Sequence, residues 1–250
     1  VQAAEDRRPG ADDTAHLVVV NVYDSLLPWP EDTTITALRI IQLFPKTTPA
    51  QEDPNIGIAA QSLARGVLGV VPVESDGSVY CEVPSGIPLY FQALDAQGRA
   101  VQSMRSATYL HPGETLSCTG CHEPKHRAAV ATTSTTPQAL QRAPSRLQPE
   151  TDADYPLTFA RLVQPVLDKQ CVQCHVEKES IPLTSAPLGV FGWTESYRQL
   201  APYAWGMRGG NGVIREDGAR SIPGAVGARA SKLLALLEAG HHDLQLPEED

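Results

Sequence analysis

Phe159-Ala-Arg-Leu-Val-Gln-Pro-Val-Leu-Asp-Lys-Gln-Cys171-Val-Gln-Cys174-His175 is the stretch on which the reading of this 250-residue chain turns. Phe159, Leu162, Val163, Val166 and Leu167 recur at i, i+3, i+4, i+7 and i+8, the stripe of an amphipathic helix. Pro165 kinks that helix unless its start lies close to the proline. The helix runs straight into Cys-x-x-Cys-His, and the chain repeats that pattern at Cys118-Thr-Gly-Cys121-His122. With 5 Cys and 7 His in 250 residues, chance supplies on the order of 0.003 such matches, so two copies read as c-type haem attachment. Thiols three residues apart reach the two vinyl groups of one porphyrin, and the next imidazole then sits under the iron as proximal ligand. His122 and His175 take that role.

Other readings of the cysteines fit less well. The two Cys-x-x-Cys pairs could share one zinc ion, but that leaves the matching histidines unexplained. A thioredoxin-like redox pair calls for a βαβ context, which the surroundings do not supply. Cys81 lies in the alternating run Ser78-Val-Tyr-Cys-Glu-Val83 and reads as a buried strand residue.

Past the second motif, the segment from Ala230 to Ala239 carries Leu233, Leu234, Leu236 and Leu237 and stops at Gly240, a helix with a glycine terminator. Glycine-rich segments lie between, Leu188-Gly-Val-Phe-Gly-Trp193 and Met207-Arg-Gly-Gly-Asn-Gly212. Leading helix, motif, loops and closing helix outline a cytochrome c-like domain over 154–250. Residues 128–153 are small, polar and proline-dotted and read as a linker, either floating or wrapped over a neighbour.

Before it, β-branched runs at His16–Tyr23, Thr34–Leu43, Gly66–Val73, Ser78–Val83 and Pro88–Leu94 alternate with turn chemistry such as Ser75-Asp76-Gly77. That spacing predicts an antiparallel sheet or sandwich over 16–127, closing on the first motif. Residues 1–15 are a loose acidic lead-in. The fold class expected is therefore α+β, with a β-rich, sandwich-like haem-binding domain followed by a mostly helical cytochrome c-like domain.

Composition agrees. The 21 prolines, about 8% of the chain, exceed the roughly 5% average and favour loops and sheet edges. The 14 aromatic residues (4 Phe, 3 Trp, 7 Tyr) are thin for a core of this size, and two macrocycles would fill it. A formal charge of −9 lacks the basic face that nucleic acid requires and favours a basic protein partner. No apolar run reaches the 18 residues of a membrane span. The chain opens at Val1 without an apolar leader, which reads as a processed protein or a fragment. Covalent haem attachment belongs to the exported side of a membrane, so the expected location is periplasmic or extracellular.

For the sixth iron positions the chain offers His16, His111, His126, His241, His242, Met104 and Met207. Near the second motif, His241-His242 follows the last helix, and one of this pair is favoured over Met207. The alternative is two solvated residues at a helix C-terminus. At the first motif, His126 stands four residues after His122. One of these two imidazoles takes a second metal, or His126 is an ordinary surface residue.

Several stretches together resemble a known family. They are Asn21-Val-Tyr-Asp24, Leu38-Arg-Ile40, Gly69-Val-Val-Pro-Val-Glu-Ser-Asp-Gly77, Val83-Pro84, Gln92-Ala-Leu-Asp95, Met104-Arg-Ser106, Pro112-Gly-Glu114 and Cys118-Thr-Gly-Cys-His-Glu123. They resemble the middle domain of the hydrazine synthase alpha-subunit family. Pro165 to His175, Ser231-Lys-Leu233 and Gly240-His-His-Asp243 resemble that family's C-terminal cytochrome domain. The resemblance implies two covalent haems c, the first reactive and the second an electron relay with two histidine ligands. It also implies zinc at the first haem, bound by the motif histidine, and a tyrosine four residues on that approaches the iron. Here that position is His126, so the carry-over of hydrazine synthesis stops at this residue. The family's β-propeller precedes the middle domain, and its closing helix runs beyond Pro247-Glu-Glu-Asp250, which makes the chain a fragment or a divergent relative.

Three functions are then in play. The first is a dihaem cytochrome passing electrons between partners. The second is a haem oxidoreductase that turns over a small nitrogen or oxygen compound at the first haem. Its proton-handling residues would be His111, Glu114, Glu123 and His126. The third is a subunit wiring a larger redox complex.

Overall fold

The computed structural model of the protein describes residues 13–50, 56, 63–104, 106–121, 135–150, 156–188, 193–204, 222–225, 227–242, 244 and 246. The chain divides into two compact units: Val1–Phe44 with Arg65–Pro156, and Pro45–Ala64 with Leu157–Asp250.

The first unit is built from eight strands: β1 (Thr14–Val19), β2 (Ala37–Leu43), β3 (Arg65–Pro72), β4 (Val79–Pro84), β5 (Pro88–Leu94), β6 (Ala100–Ser103), β7 (Thr108–Tyr109) and β8 (Thr115–Cys118). They form two sheets, one ordered β4-β1-β8 and the other β3-β2-β5-β6 with β7 paired to β5. Period-two alternation sends one side of each strand inward. Leu17, Val79, Cys81 and Val83 of the first sheet pack with Leu38, Ile40, Leu89 and Val101 of the second in one cluster, each at most 2% exposed. This is a β-sandwich-like core, as the alternating runs led one to expect. The run at His16–Tyr23 is displaced, because pairing ends at Val19 and residues 20–23 turn away. The short strands β6 to β8 carry too few β-branched residues to be read from the sequence.

Part of the stretch read as a linker is ordered. A 3₁₀ turn at Gln138–Gln141 is capped from β-sandwich residues, with Gln138 N–H donating to Asp76 (2.9 Å) and Ala139 N–H to Ser78 Oγ (3.0 Å). Burial alone pushes the Asp76 carboxyl up, but hydrogen bonds from Gln138 and Ser78 outweigh it and hold the group below the usual carboxylate range. Farther along, Ser145 bridges β4 at Cys81, and Gln148 bridges β3 at Val70. These are edge strands of the two sheets, so one segment caps an edge of each. Gly69, at φ +147°, permits it: a Cβ there would lie 2.6 Å from the Gln148 carbonyl oxygen. The composition left floating and wrapping open, and the described half wraps.

Cys81 is 0% exposed, and burial pushes its thiol up to about 12, with Arg142 offsetting only part of that. In the unfolded chain the thiol ionises near its ordinary value of 9.0. Stability from this residue is therefore complete below pH 9 and falls as pH rises toward 12, by about 1.4 kcal/mol per unit. Urea denaturation between pH 8 and 10.5 checks this: the Cys81→Ala variant, though less stable throughout, loses that part of the alkaline slope.

The second unit is helical. Thr158 caps α1 (Phe159–Leu162) by accepting from Arg161 N–H, Val163 interrupts, and α2 (Gln164–Gln170) restarts with Pro165 in its first turn. The proline thus sits where its missing N–H costs nothing: the helix starts beside Pro165, the alternative to a kink, and the stripe is split at Val163. Next come α3 (Val172–Glu177), the two-residue strands β9 (Pro187–Leu188) and β10 (Trp193–Thr194), α4 (Glu195–Ala204) and α5 (Lys232–Glu238). Leu167, Leu183 and Leu200 form a small core flanked by Phe159, Cys171, Val172 and Leu233. Among the described residues no helix is long and apolar enough to cross a membrane.

Candidate functional site

None of the five cysteines forms a disulfide. Cys118 is the last residue of β8, which pairs parallel to β1 with Cys118 opposite Val19. Val20 N–H donates to the Cys118 carbonyl (2.9 Å), and Asn21 N–H donates to that of Thr119 (3.1 Å). The turn 21–24 then lies so close that a Cβ on Gly120 would overlap the Asp24 carbonyl oxygen and stand 2.7 Å from that of Asn21. Only glycine lets the two backbones approach like this. Cys118 and Cys121 are half-buried against the sandwich core, so the first motif has a rigid seat.

His122, Glu123 and His126 lie outside the described residues. His111 and Glu114 are brought together in one turn, where the Glu114 carboxylate accepts from His111 N–H (2.7 Å) and Glu114 N–H donates back to the His111 carbonyl (3.0 Å). The His111 ring stands edge-on to Tyr109 at 5.5 Å. Of the other candidate ligands, His16 lies against Tyr80 at 5.6 Å and Met104 packs at the sandwich core.

The second motif is described in full. Cys171 breaks α2 from α3, and Cys174 and His175 follow at i+3 and i+4, on the same helical face. Burial against the leucine core, then the neighbouring Cys174, pushes the Cys171 thiol up. Beyond α3 the chain reverses: Glu179 takes φ +49°, Glu179 N–H donates to the Val176 carbonyl and Ser180 N–H to that of His175. This Schellman turn carries the Ile181 carbonyl back to the His175 ring, at 3.0 Å from Nδ1. A carbonyl only accepts, so Nδ1 carries the proton and Nε2 is the nitrogen left to bind a metal.

His241 meets this imidazole. Gly240 (φ +84°) ends the turn after α5, Leu244 N–H donates to the His241 carbonyl, and the His175 and His241 ring centroids are 6.1 Å apart. These two imidazoles are the pair that would hold an iron at this motif. His242 stacks edge-on to His241 at 4.4 Å and holds a left-handed φ of +50°, which costs a non-glycine residue about 1–2 kcal/mol. Burial, then His242, His175 and Lys178, keep His241 below the usual histidine range, favouring the neutral, metal-binding form.

The helices around these side chains are open, and α5 is leucine-rich. Neither α3 nor α5 buries a residue fully, although α5 carries four leucines, and Val176 and Leu236 are 61% and 46% exposed. Paired thiols, two neighbouring imidazoles and the exposed leucine of α5 are what would hold a flat apolar macrocycle with an iron at its centre. Met207 lies outside the described residues. Among the described residues no three His, Cys, Asp or Glu side chains converge as a metal site, and the two histidines considered for zinc, His122 and His126, are not among them.

The Ile181 carbonyl that orients His175 was not foreseen. It bears no side-chain signal, and only the proline after it hinted at a fixed turn.

Residues 33–123 match the family described as the hydrazine synthase alpha subunit middle domain. A curated relative, hydrazine synthase subunit alpha of Kuenenia stuttgartiensis, is 34% identical over 107 residues, covering 37% of this chain and 13% of its own length. The solved structure of Kuenenia stuttgartiensis hydrazine synthase matches 80% of this chain and 34% of its own with a TM-score of 0.60. At 19% identity that likeness speaks for the fold alone. The chain thus spans well under half the length of both relatives. It is a partial relative of the hydrazine synthase alpha subunit, related to it through the middle domain that ends on the first Cys-x-x-Cys-His motif.

Proposed function

We propose that the chain is a dihaem c-type cytochrome that transfers electrons, with its second unit a cytochrome c-like domain. The observation that carries this is the pair His175 and His241 at 6.1 Å, one turn from Cys171 and Cys174. In this reading Cys118 and Cys121 tether one haem c and Cys171 and Cys174 the other. His122 and His175 are the proximal ligands, and His241 closes the second iron. Each haem supplies a one-electron couple. The protein's part is to bind, orient and cover the two groups. Ile181 fixes the tautomer of His175, the leucines of α5 would cover one side of the group, and Gly120 lets the first motif sit flush on the sandwich. A closed, two-histidine iron suits relay rather than binding of a substrate. The proposal extends to an exported location and to a redox partner with a basic docking face, within a larger redox complex.

The family match over the first motif favours a second reading for that haem alone: an oxidoreductase site acting on a small nitrogen or oxygen compound. Its candidate proton-handling residues are His111, Glu123 and His126, with zinc at His122 or His126.

EPR of the oxidised protein, with optical spectra of the reduced protein with and without carbon monoxide, decides between them. Two low-spin signals and no carbon monoxide shift support electron transfer. High-spin iron near half the haem, with a carbon monoxide shift lost or altered in a His126 variant, supports the enzyme. A chain purified from a haem-c-maturing host that carries no covalent haem overturns both.

A further inference from the structure

Gln164 is 4% exposed, in the first turn of α2, and belongs to no motif. Its amide is locked by three partners: Nε2 donates to Asp168 Oδ1 (2.8 Å) and to the Leu183 carbonyl (3.1 Å), and Oε1 accepts from Ser196 Oγ (2.5 Å). Carboxylate and carbonyl only accept, so the nitrogen must face them and the oxygen the hydroxyl. Thr194 Oγ1 extends the network, 2.9 Å from Ser196 Oγ. Stability gives no reason for a glutamine here. An apolar residue at this position, three before Leu167, would join the leucine core and leave no buried amide to satisfy.

What the amide holds is more informative. Leu183 lies two residues past Ile181, whose carbonyl takes the His175 Nδ1–H, and the Pro182 ring between them fixes φ. The loop is thus pinned at one end by the Schellman turn at Glu179 and at the other by Gln164. We propose that Gln164 is a positioning residue: through Leu183 it holds the Ile181 carbonyl against His175, and so sets the orientation and basicity of that imidazole toward the second haem iron. The inference rests on the haem reading above. A ring N–H donated to a carbonyl makes the opposite nitrogen a stronger donor, which favours the ferric state. Loosening that bond raises the reduction potential.

The test is a spectroelectrochemical titration and EPR of the haem-loaded full chain. Gln164→Met, close in shape, is expected to keep two haems per chain and to shift the reduction equilibrium of one of them about tenfold toward the ferrous state. For one electron that is about 59 mV. The low-spin g values of the same haem change with the ring's orientation. Ser196→Ala is the control: it weakens the same network at the far end, leaves the Leu183 bond in place, and keeps the wild-type potential. If Gln164→Met does not accumulate, Gln164→Asn replaces it. One methylene shorter, it cannot reach both Asp168 and Leu183, and it is read out in the same way. Unchanged potentials and g values with two haems bound overturn the inference while leaving the haem reading intact. Wild-type chain with no haem at the second motif, by peptide mass, overturns the haem reading itself and the inference with it.

Discussion

His241→Ala is expected to turn the second haem from a closed, low-spin centre into one that binds carbon monoxide, while His242→Ala leaves it low-spin. The distinction follows from geometry. The His241 and His175 ring centroids are 6.1 Å apart, whereas His242 packs edge-on against His241. In the proposed haem reading, removing His241 would leave one iron position that alanine cannot fill. The effect is all-or-none for that haem: its low-spin EPR signal disappears and a carbon monoxide difference spectrum appears for one of the two haems. Retention of the low-spin signal in His241→Ala, with its loss in His242→Ala, would reassign the ligand to His242. Loss in neither would hand the position to Met207 or to another residue.

A second large effect is expected from a single methyl group at Gly120. The Cβ of Gly120→Ala would overlap the Asp24 carbonyl oxygen and stand 2.7 Å from the Asn21 oxygen and from Asp24 Cβ. Two of the three obstacles are backbone, so relief requires the 21–24 turn to move away from the motif. That breaks the hydrogen bond from Asn21 N–H to the Thr119 carbonyl and unseats Cys121. Overpacking of this kind costs about 3 kcal/mol. Chemical denaturation should register the loss, and haem staining with peptide mass should show the first motif under-loaded while the second keeps its haem. Wild-type stability with full loading at both motifs would refute the close approach.

Both effects concern residues whose type was visible in the sequence but whose partners were not. Cys-x-x-Cys-His spells out its own chemistry because the spacing alone delivers two thiols and an imidazole to one group. The strands of the sandwich were legible where β-branched alternation was dense, as in β2, β3, β4 and β5. They were illegible at β6 to β8, which are two to four residues long and exist because neighbours offer them hydrogen bonds. Residues 137–150 read as linker because their composition has no period. Their order comes from Asp76, Ser78 and two sheet edges, a tertiary context that composition does not encode. Gln164 was passed over for the same reason: a glutamine in a helix is ordinary until its three partners are known. The left-handed His242 was likewise beyond reach, since nothing in the dipeptide announces a positive φ.

The pairing of β1 with β8 joins Val19 to Cys118, 99 residues apart in the chain. Closing so long a loop is slow and entropically costly, and it precedes any reward from the contacts it makes. The seat of the first motif is therefore expected to form only after the N-terminal strand has found its place. The leucine core beside the second motif draws mainly on a shorter stretch, Phe159 to Leu200, and only Leu233 joins it from farther along the chain. Contact separation alone leads one to expect that the second pair of cysteines reaches a native-like environment before the first. In the proposed dihaem reading, a chain stalled before β1 meets β8 would leave the cysteines of the first motif, Cys118 and Cys121, without their seat against Val19 and Val20.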